Sequence, residues 1–499
     1  MEAPITSQES AAVKAWSFLR AKRATITALS ALVVIPCLWH RRIEAGDLAS
    51  HVYNAWLARL VQKGQAPGVY AVPQWNNVLF DWMLLYLGKA VGFAAGEKIA
   101  VSLCVLVFFW GVFALMNAVS GKAPWLLTPC IGVLAYGYSF NMGFVNYYLS
   151  VGLACFSLAV AWRGKGADLV AGVALALLTL LAHPLGFVWL TGALLYLSIW
   201  RRLRNWWNLI LPAAAIGGFI ALHWYFLHRA HFPVDWLEQP FYLFNGADQL
   251  AVYGPRYVWI AVAAFILGAV FFSIDLAVRW GDAAVWNSLR LPLELYTVAF
   301  CATSLLPEDL QPPLYPGWIG LLVTRLTTIS AILGLCVMSV IQPRKWHLAG
   351  FSACAAVFFV FLYQDTLILT RMESSAEHLV RELPPGTRVL STIWAPPDSR
   401  VQFIGHIVDR ACIGHCFSYS NYEPSSWQFR LRVRPGSPVA TASNDESEDM
   451  QAGQYEVQDE DLPMMEVYQC DEKDLTKLCM RALVPGEKNG RLGYKPPSE

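Results

Sequence analysis

From about residue 24 to 367 the chain is written in apolar blocks of bilayer length, and after 367 those blocks stop. Roughly 20 apolar residues in succession cross a hydrocarbon core. In that medium every backbone amide must be satisfied within its own segment, which makes helices the default. Blocks fall near 24–40, 76–94, 98–119, 123–141, 143–162, 167–183 and 184–200. Others fall near 207–228, 256–276, 291–306, 317–341 and 346–367, about twelve segments in all. This rhythm excludes a soluble single domain. Only 15% of the residues are charged, where a soluble protein carries roughly a quarter. The formal net charge of +1 gives no footing for a nucleic-acid partner. The expected fold is mainly α: a polytopic transmembrane helical bundle with a small C-terminal extracytoplasmic α+β domain.

Charge placement orients the segments. The tail 1–23 carries Lys14, Arg20, Lys22 and Arg23, and no clean small-residue cleavage pattern follows the first apolar block. That block reads as a membrane helix with its N-terminus in the cytoplasm, not as a removable leader. The basic loops Arg201–Arg204, Arg279–Arg290 and Pro343–Lys345 belong on the same side. Residues 229–255, 307–316 and everything after 367 then lie outside. Counting from 41–75, also outside, puts the basic Arg163-Gly-Lys165 on the wrong side. Segment 123–141, interrupted by Pro124 and Pro129, is expected to be the irregular one that breaks the count.

The chain therefore divides into the tail 1–23, a membrane module 24–369 with an outer loop and amphipathic helix at 41–75, and a soluble domain 370–499. Within the last, Val389–Trp394, Arg400–Ile407 and Trp427–Val433 read as strands, and the acidic 440–460 reads as a flexible loop. Of eleven cysteines, Cys412, Cys416, Cys470 and Cys479 fall in this domain. An even number outside the membrane implies disulfides, with three pairings open. A metal cluster of His406, Cys412, His415 and Cys416 is the alternative, although its spacing matches no standard zinc motif.

Several polar residues sit where a membrane makes them costly. Asp47, His51 and Asn54 stand at i, i+4 and i+7 just beyond the first span, hence on one helical face, with Leu48, Val52, Ala55 and Trp56 largely opposite. An interfacial helix with a water-facing polar side would carry the same pattern. Arg325 lies about two turns into a span that begins near Gly317. There it meets a lipid phosphate, snorkels to the interface, or pairs structurally with Glu308 or Asp309. His183, before Pro184, marks a break between two apolar segments and reads most simply as a satisfied core histidine. Asn141 and Asn146 lie in the aromatic, amide-rich run Tyr136–Tyr148, a composition shared by sugar-contacting surfaces and interfacial aromatic belts.

In order and character, residues 20–340 resemble the GT-C superfamily of integral membrane glycosyltransferases. Asp47 in Gly46-Asp-Leu-Ala-Ser-His51 matches that family's first-loop acid, and Asp47–Lys63 its amphipathic helix. Asn141 and Asn146 stand where a second acidic motif would be, and Arg325 takes the place of the phosphate-binding arginine. The resemblance implies a bacterial inner-membrane enzyme with its C-terminal domain in the periplasm. It implies a polyprenyl-phosphate-linked sugar donor, membrane lipid around it, and a glycan, lipid or protein acceptor. On that reading Asp47 and His51 are catalytic, and Asn54, Asn141, Asn146, His183 and Arg325 bind substrate. No cofactor is firmly implied; with amides in the second motif, a divalent Mg or Mn stays open. Such chemistry needs a base for the acceptor hydroxyl, for which Asp47 is suited, and a cation for the leaving phosphate, for which Arg325 is suited. One carboxylate without an obvious second nucleophile favours inversion. A transporter or flippase, or a non-catalytic relative acting as a partner protein, would account for the same intramembrane polar residues.

Overall fold

The computed structural model describes residues 11–163, 167–203, 209–237, 244–313, 315, 317–341, 344–401, 405–471 and 474–490. Lys165, Arg204, Pro343 and residues 1–10 and 402–404, which bear on the readings of loop charge, tail and strand above, lie outside them.

The apolar blocks fold as helices. They are α1 (Ala11–Leu38), α2 (Leu48–Gln62), α3 (Leu79–Val91), α4 (Phe93–Ser120), α5 (Thr128–Ala135), α6 (Tyr138–Asn141) and α7 (Val145–Arg163). There follow α8 (Ala167–Ala182), α9 (Pro184–Arg202), α10 (Ile210–His228), α11 (Pro255–Val278), α12 (Ala283–Leu305), α13 (Leu322–Val340) and α14 (Lys345–Arg381). Seven of these, α1, α4, α7, α10, α11, α13 and α14, are long and apolar enough to cross a bilayer. The chain is a multi-pass membrane protein. The expected count of about twelve spans is larger than this: α3 has 13 residues and α8 16, and block 123–141 breaks into a 3-10 turn, the eight-residue α5 and the four-residue α6. Pro129 near the start of α5 and the extended backbone of Gly137 interrupt that block.

Close packing holds the bundle. A Cβ on Gly152 of α7 would stand 2.8 Å from the backbone of Phe108 on α4, so only glycine lets the two helices approach this far. Phe108 stacks on Tyr148 beside this contact, ring centroids 4.3 Å apart.

The C-terminal domain is α+β. Its sheet has the order β5 (Phe417–Ser418), β4 (Arg388–Thr392), β7 (Met464–Gln469), β8 (Leu478–Ala482); the first two pairings are parallel and the last antiparallel. Four further strands form two clasps: β1 (Val69–Ala71) pairs with β6 (Leu431–Val433), and β2 (Val234–Asp235) with β3 (Asp309–Leu310). The first clasp ties the loop after α2 to the C-terminal domain across more than 350 residues of chain.

Some expectations change. Arg400–Ile407 forms no named strand among its described residues, and α15 (Ile407–Ala411) begins at its end. The acidic stretch 440–460 contains α16 (Asn444–Gln451). Ser443 accepts a hydrogen bond from the Glu446 amide, Asp445 and Glu446 sit at the positive end of the helix dipole, and Met450 is buried. The disulfides are Cys412–Cys416 and Cys470–Cys479, which removes two ligands from the metal alternative.

A buried ionic knot joins the two parts. Arg410 of α15 donates through Nη1 to Glu97 of α4 (2.7 Å) and to the Ile43 carbonyl (3.0 Å). Through Nε it reaches Glu373 of α14 (2.7 Å), and through Nη2 Glu373 again and Glu44 (3.3 Å). One cation thus serves three carboxylates from three separate stretches of chain.

Candidate active site

The polar face of the helix that carried the pattern is not open to water. Every residue of α2 from Leu48 to Ala55 is buried, sandwiched between the membrane module and the C-terminal domain. Asp47 is its N-cap residue, yet its carboxylate caps no amide, which leaves both oxygens for the site. The loop 45–47 is pinned to the segment between α6 and α7: the Gly46 amide donates to the Asn141 carbonyl (2.8 Å) and that of Asp47 to Met142 (3.0 Å). Gly143 makes this approach possible. It has φ of +79°, and a Cβ there would lie 2.4 Å from the Asp47 nitrogen.

Asp47 faces a relay from the C-terminal domain. His406 Nε2 stands 3.7 Å from Asp47 Oδ1, and His406 Nδ1 is 3.0 Å from Asp409 Oδ2. Ser418 donates in turn to the other oxygen of Asp409. Burial opposes a charge on His406, but Asp409 and then Asp47 outweigh it and raise the imidazole above its ordinary range. Asp47 is the open member, with 27% of its side chain accessible against 12% for His406 and 3% for Asp409.

His51 anchors a second, deeper group. Its Nδ1 lies 3.3 Å from Asp81 of α3 and 3.3 Å from Glu423 of the C-terminal domain. Burial again opposes the charge, yet the contact with Asp81 and the fields of Glu423 and Asp47 hold the His51 pKa at about 9. Burial, with Asp81 and Asp47 adding to it, pushes Glu423 up to about 7, against the pull of His51 and the Ser50 hydroxyl. Phe80 and Phe429 wall the ring, at centroid distances of 6.0 and 6.2 Å.

Arg325 sits on the opposite chemical pole. The two carboxylates that might have paired with it are committed elsewhere. Asp309 accepts from the Leu321 amide (2.7 Å), and Glu308 from the amide (3.0 Å) and hydroxyl of Thr324, together capping α13. Among the described residues Arg325 forms no ion pair, and its Nε is buried without a hydrogen-bond partner. The guanidinium carbon lies 4.3 Å from the ring centroid of Phe144, next to Gly143. Asp47 and Arg325 therefore abut the same short segment, 142–144. Tyr422, whose ring is 5.2 Å from that of His406, feels both poles. Burial and the charges of Asp47, Glu423 and Asp409 raise its pKa well above the ordinary value, and Arg325 opposes them.

The other sequence-derived residues are tied into the framework. Asn54 exchanges hydrogen bonds with Asn421 (3.0 and 2.8 Å). Asn141 donates to the carbonyls of Tyr136 and Gly137 and accepts from Tyr253. Asn146 accepts from the Phe80 amide (2.9 Å), which positions Asp81 one residue further on. His183 caps α9 by accepting from Leu185. Asp81, His406, Asp409, Tyr422 and Glu423 were not singled out as catalytic or substrate-binding. Asp81 had a signal, a lone acid inside the apolar block 76–94. In the C-terminal domain His406 stood out only as a candidate metal ligand and the other three had no signal, because nothing local marks a group that reaches Asp47 and His51 across more than 300 positions.

Compared with protein-family models, curated proteins and solved structures, the chain matches none.

Proposed function

We propose that this multi-pass membrane protein is a glycosyltransferase of GT-C type. It moves a sugar from a polyprenyl-phosphate donor to a glycan, lipid or protein acceptor of the envelope, on the outer side of a bacterial inner membrane. One observation carries the reading: a half-buried arginine without a carboxylate partner shares segment 142–144 with an accessible, histidine-backed Asp47. Cation and base so arranged suit a substrate that is anionic at one end and loses a proton at the other.

In this scheme the acceptor oxygen attacks the anomeric carbon while the bond from that carbon to the phosphate oxygen breaks. The bonding pair leaves with the phosphate, whose growing charge Arg325 stabilises. Asp47 takes the hydroxyl proton, and His406, held by Asp409, orients it and supports its charge. A single displacement inverts the anomeric centre. His51 sits between Asp81 and Glu423 and keeps those two carboxylates apart from the reacting groups. Among the described residues no group of three or more His, Cys, Asp or Glu side chains is placed to hold a metal ion.

The test is transfer from defined polyprenyl-phosphate hexoses and pentoses by purified protein in proteoliposomes. Asp47→Asn is expected to reduce turnover by about 10²–10⁴-fold, with its melting temperature unchanged. A wild-type protein that consumes no donor refutes the proposal, as does an Asp47→Asn variant with full activity. Movement of intact donor across the bilayer would instead support the transporter reading.

A further inference from the structure

Three loops meet beside the candidate site at one residue, Gln428. Gln74 donates to the Gln428 carbonyl (3.0 Å), and Gln428 Nε2 reaches the Trp318 carbonyl (3.4 Å). Each loop presents an indole beside this junction: Trp75 is 76% exposed, Trp427 56% and Trp318 38%. Asn77, Leu321 and Trp427 are the non-glycine residues with positive φ among those described, and each belongs to one of these loops. A left-handed backbone at a leucine or tryptophan costs about 1–2 kcal/mol and persists only where surrounding structure enforces it. Trp427 is so enforced. Arg432 donates to its carbonyl (2.6 Å), with the guanidinium carbon 5.5 Å from the ring centroid.

An exposed indole at a membrane protein's edge ordinarily anchors in the lipid interface. Two features argue against that role here. Trp427 belongs to the C-terminal domain and not to a membrane helix. The junction also presents the side-chain amide of Gln428 at the surface among the indoles, a polar group that hydrocarbon would not satisfy. Flat apolar surfaces beside the accessible Gln428 side-chain amide match a pyranose or furanose ring. Its C–H face packs on an aromatic ring, and its hydroxyls both donate and accept. The platform also leads inward. Phe429, two residues after Trp427, contacts both Tyr422 (5.6 Å) and His51 (6.2 Å) by ring centroid.

We propose that Trp75, Trp318 and Trp427, gathered around Gln428, form a carbohydrate platform that holds a glycan acceptor at the mouth of the site. This rests on the transferase reading above and narrows its acceptor to a glycan.

Full-length protein in lipid nanodiscs would be tested for binding to immobilised neutral hexasaccharides (glucan, mannan, galactan and arabinan). The expected result is saturable binding to at least one. It should weaken at least about tenfold in Trp75→Ala and Trp427→Ala, and largely return in Trp75→Tyr and Trp427→Tyr. A Trp75→Cys variant should react with a membrane-impermeant maleimide, more slowly when that hexasaccharide is present. The proposal is overturned if no hexasaccharide binds, if the alanine variants bind as tightly as wild type, or if the Trp75→Cys thiol is inaccessible in the nanodisc. Binding does not depend on turnover, so the two readings fail separately. Binding without transfer from any donor counts against the enzyme alone, and transfer with unweakened tryptophan variants counts against the platform alone.

Discussion

Replacing Arg410 by methionine tests how the two parts of the molecule are joined. The substitution keeps bulk and removes the one cation, among the described residues, in hydrogen-bonding contact with all of Glu44, Glu97 and Glu373. Thr370 still donates to Glu44 (2.9 Å), and Arg42 still lies 3.5 Å from Glu373, so some compensation survives. Removing one partner from a buried ion pair costs about 3–5 kcal/mol. That is a large part of the 5–15 kcal/mol that holds a typical fold, and corresponds to a fall in melting temperature on the order of 3–5 °C for a chain of this length. The pH dependence identifies the cause. Burial and the neighbouring Glu373 already raise Glu44 well above the ordinary carboxyl range, Arg410 opposing them, and without the arginine it rises further. A carboxyl with a raised folded-state pKa favours the fold when protonated. The penalty in Arg410→Met should therefore be small near pH 4.5 and grow as pH climbs from there towards the folded-state pKa. Melting curves of the detergent-solubilised full chain from pH 4.5 to 8.5, beside limited proteolysis of the C-terminal domain, read both effects. Neutralising the acids as well (Arg410→Met with Glu44→Gln, Glu97→Gln and Glu373→Gln) should restore most of the loss, since apolar or neutral replacements of a whole buried network are tolerated. A single variant that melts within about 2 °C of wild type at pH 8 would falsify the argument that this knot fastens the domain.

Further outcomes follow from the site. The rise of the His51 pKa from 6.5 to about 9 corresponds to about 3 kcal/mol of stability, present in full below pH 6.5 and lost as pH rises through about 9. Glu423→Gln removes one of the two carboxylates beside His51, so in melting experiments the alkaline loss should begin at lower pH than in wild type. An unchanged alkaline limb would separate His51 from Glu423. Gly143→Ala drives a methyl into the Asp47 amide from a left-handed backbone and should cost about 1–3 kcal/mol. Amide exchange at residues 45–48 should rise with it, and unchanged exchange would show that this contact does not hold the Asp47 loop.

How much of this was legible beforehand depends on the range of the interactions. The break at 123–141 could be read because Pro124 and Pro129 act on their own backbone. The α2 boundaries, Leu48–Gln62 against an expected 47–63, followed from local periodicity. What α2 faces did not: its buried polar residues look identical in sequence to those of a water-facing interfacial helix. Asn141 and Asn146 drew attention as amides in an aromatic loop, and their hydrogen bonds go to the framework that holds Asp47 and Asp81.

By itself the sequence determined a helical membrane protein with a small C-terminal region containing a sheet, and Asp47 and Arg325 as residues needing an explanation. Those conclusions rest on block length, local composition and the cost of burying charge, all of which act over a few turns of chain. Only the tertiary structure decided that His406, Asp409, Tyr422 and Glu423 return to Asp47 and His51, that Glu308 and Asp309 cap α13 instead of pairing with Arg325, and that Arg410 binds three distant acids. Such contacts close loops of tens to hundreds of residues. Their stability comes from desolvated charges meeting in three dimensions, which no short window of sequence encodes.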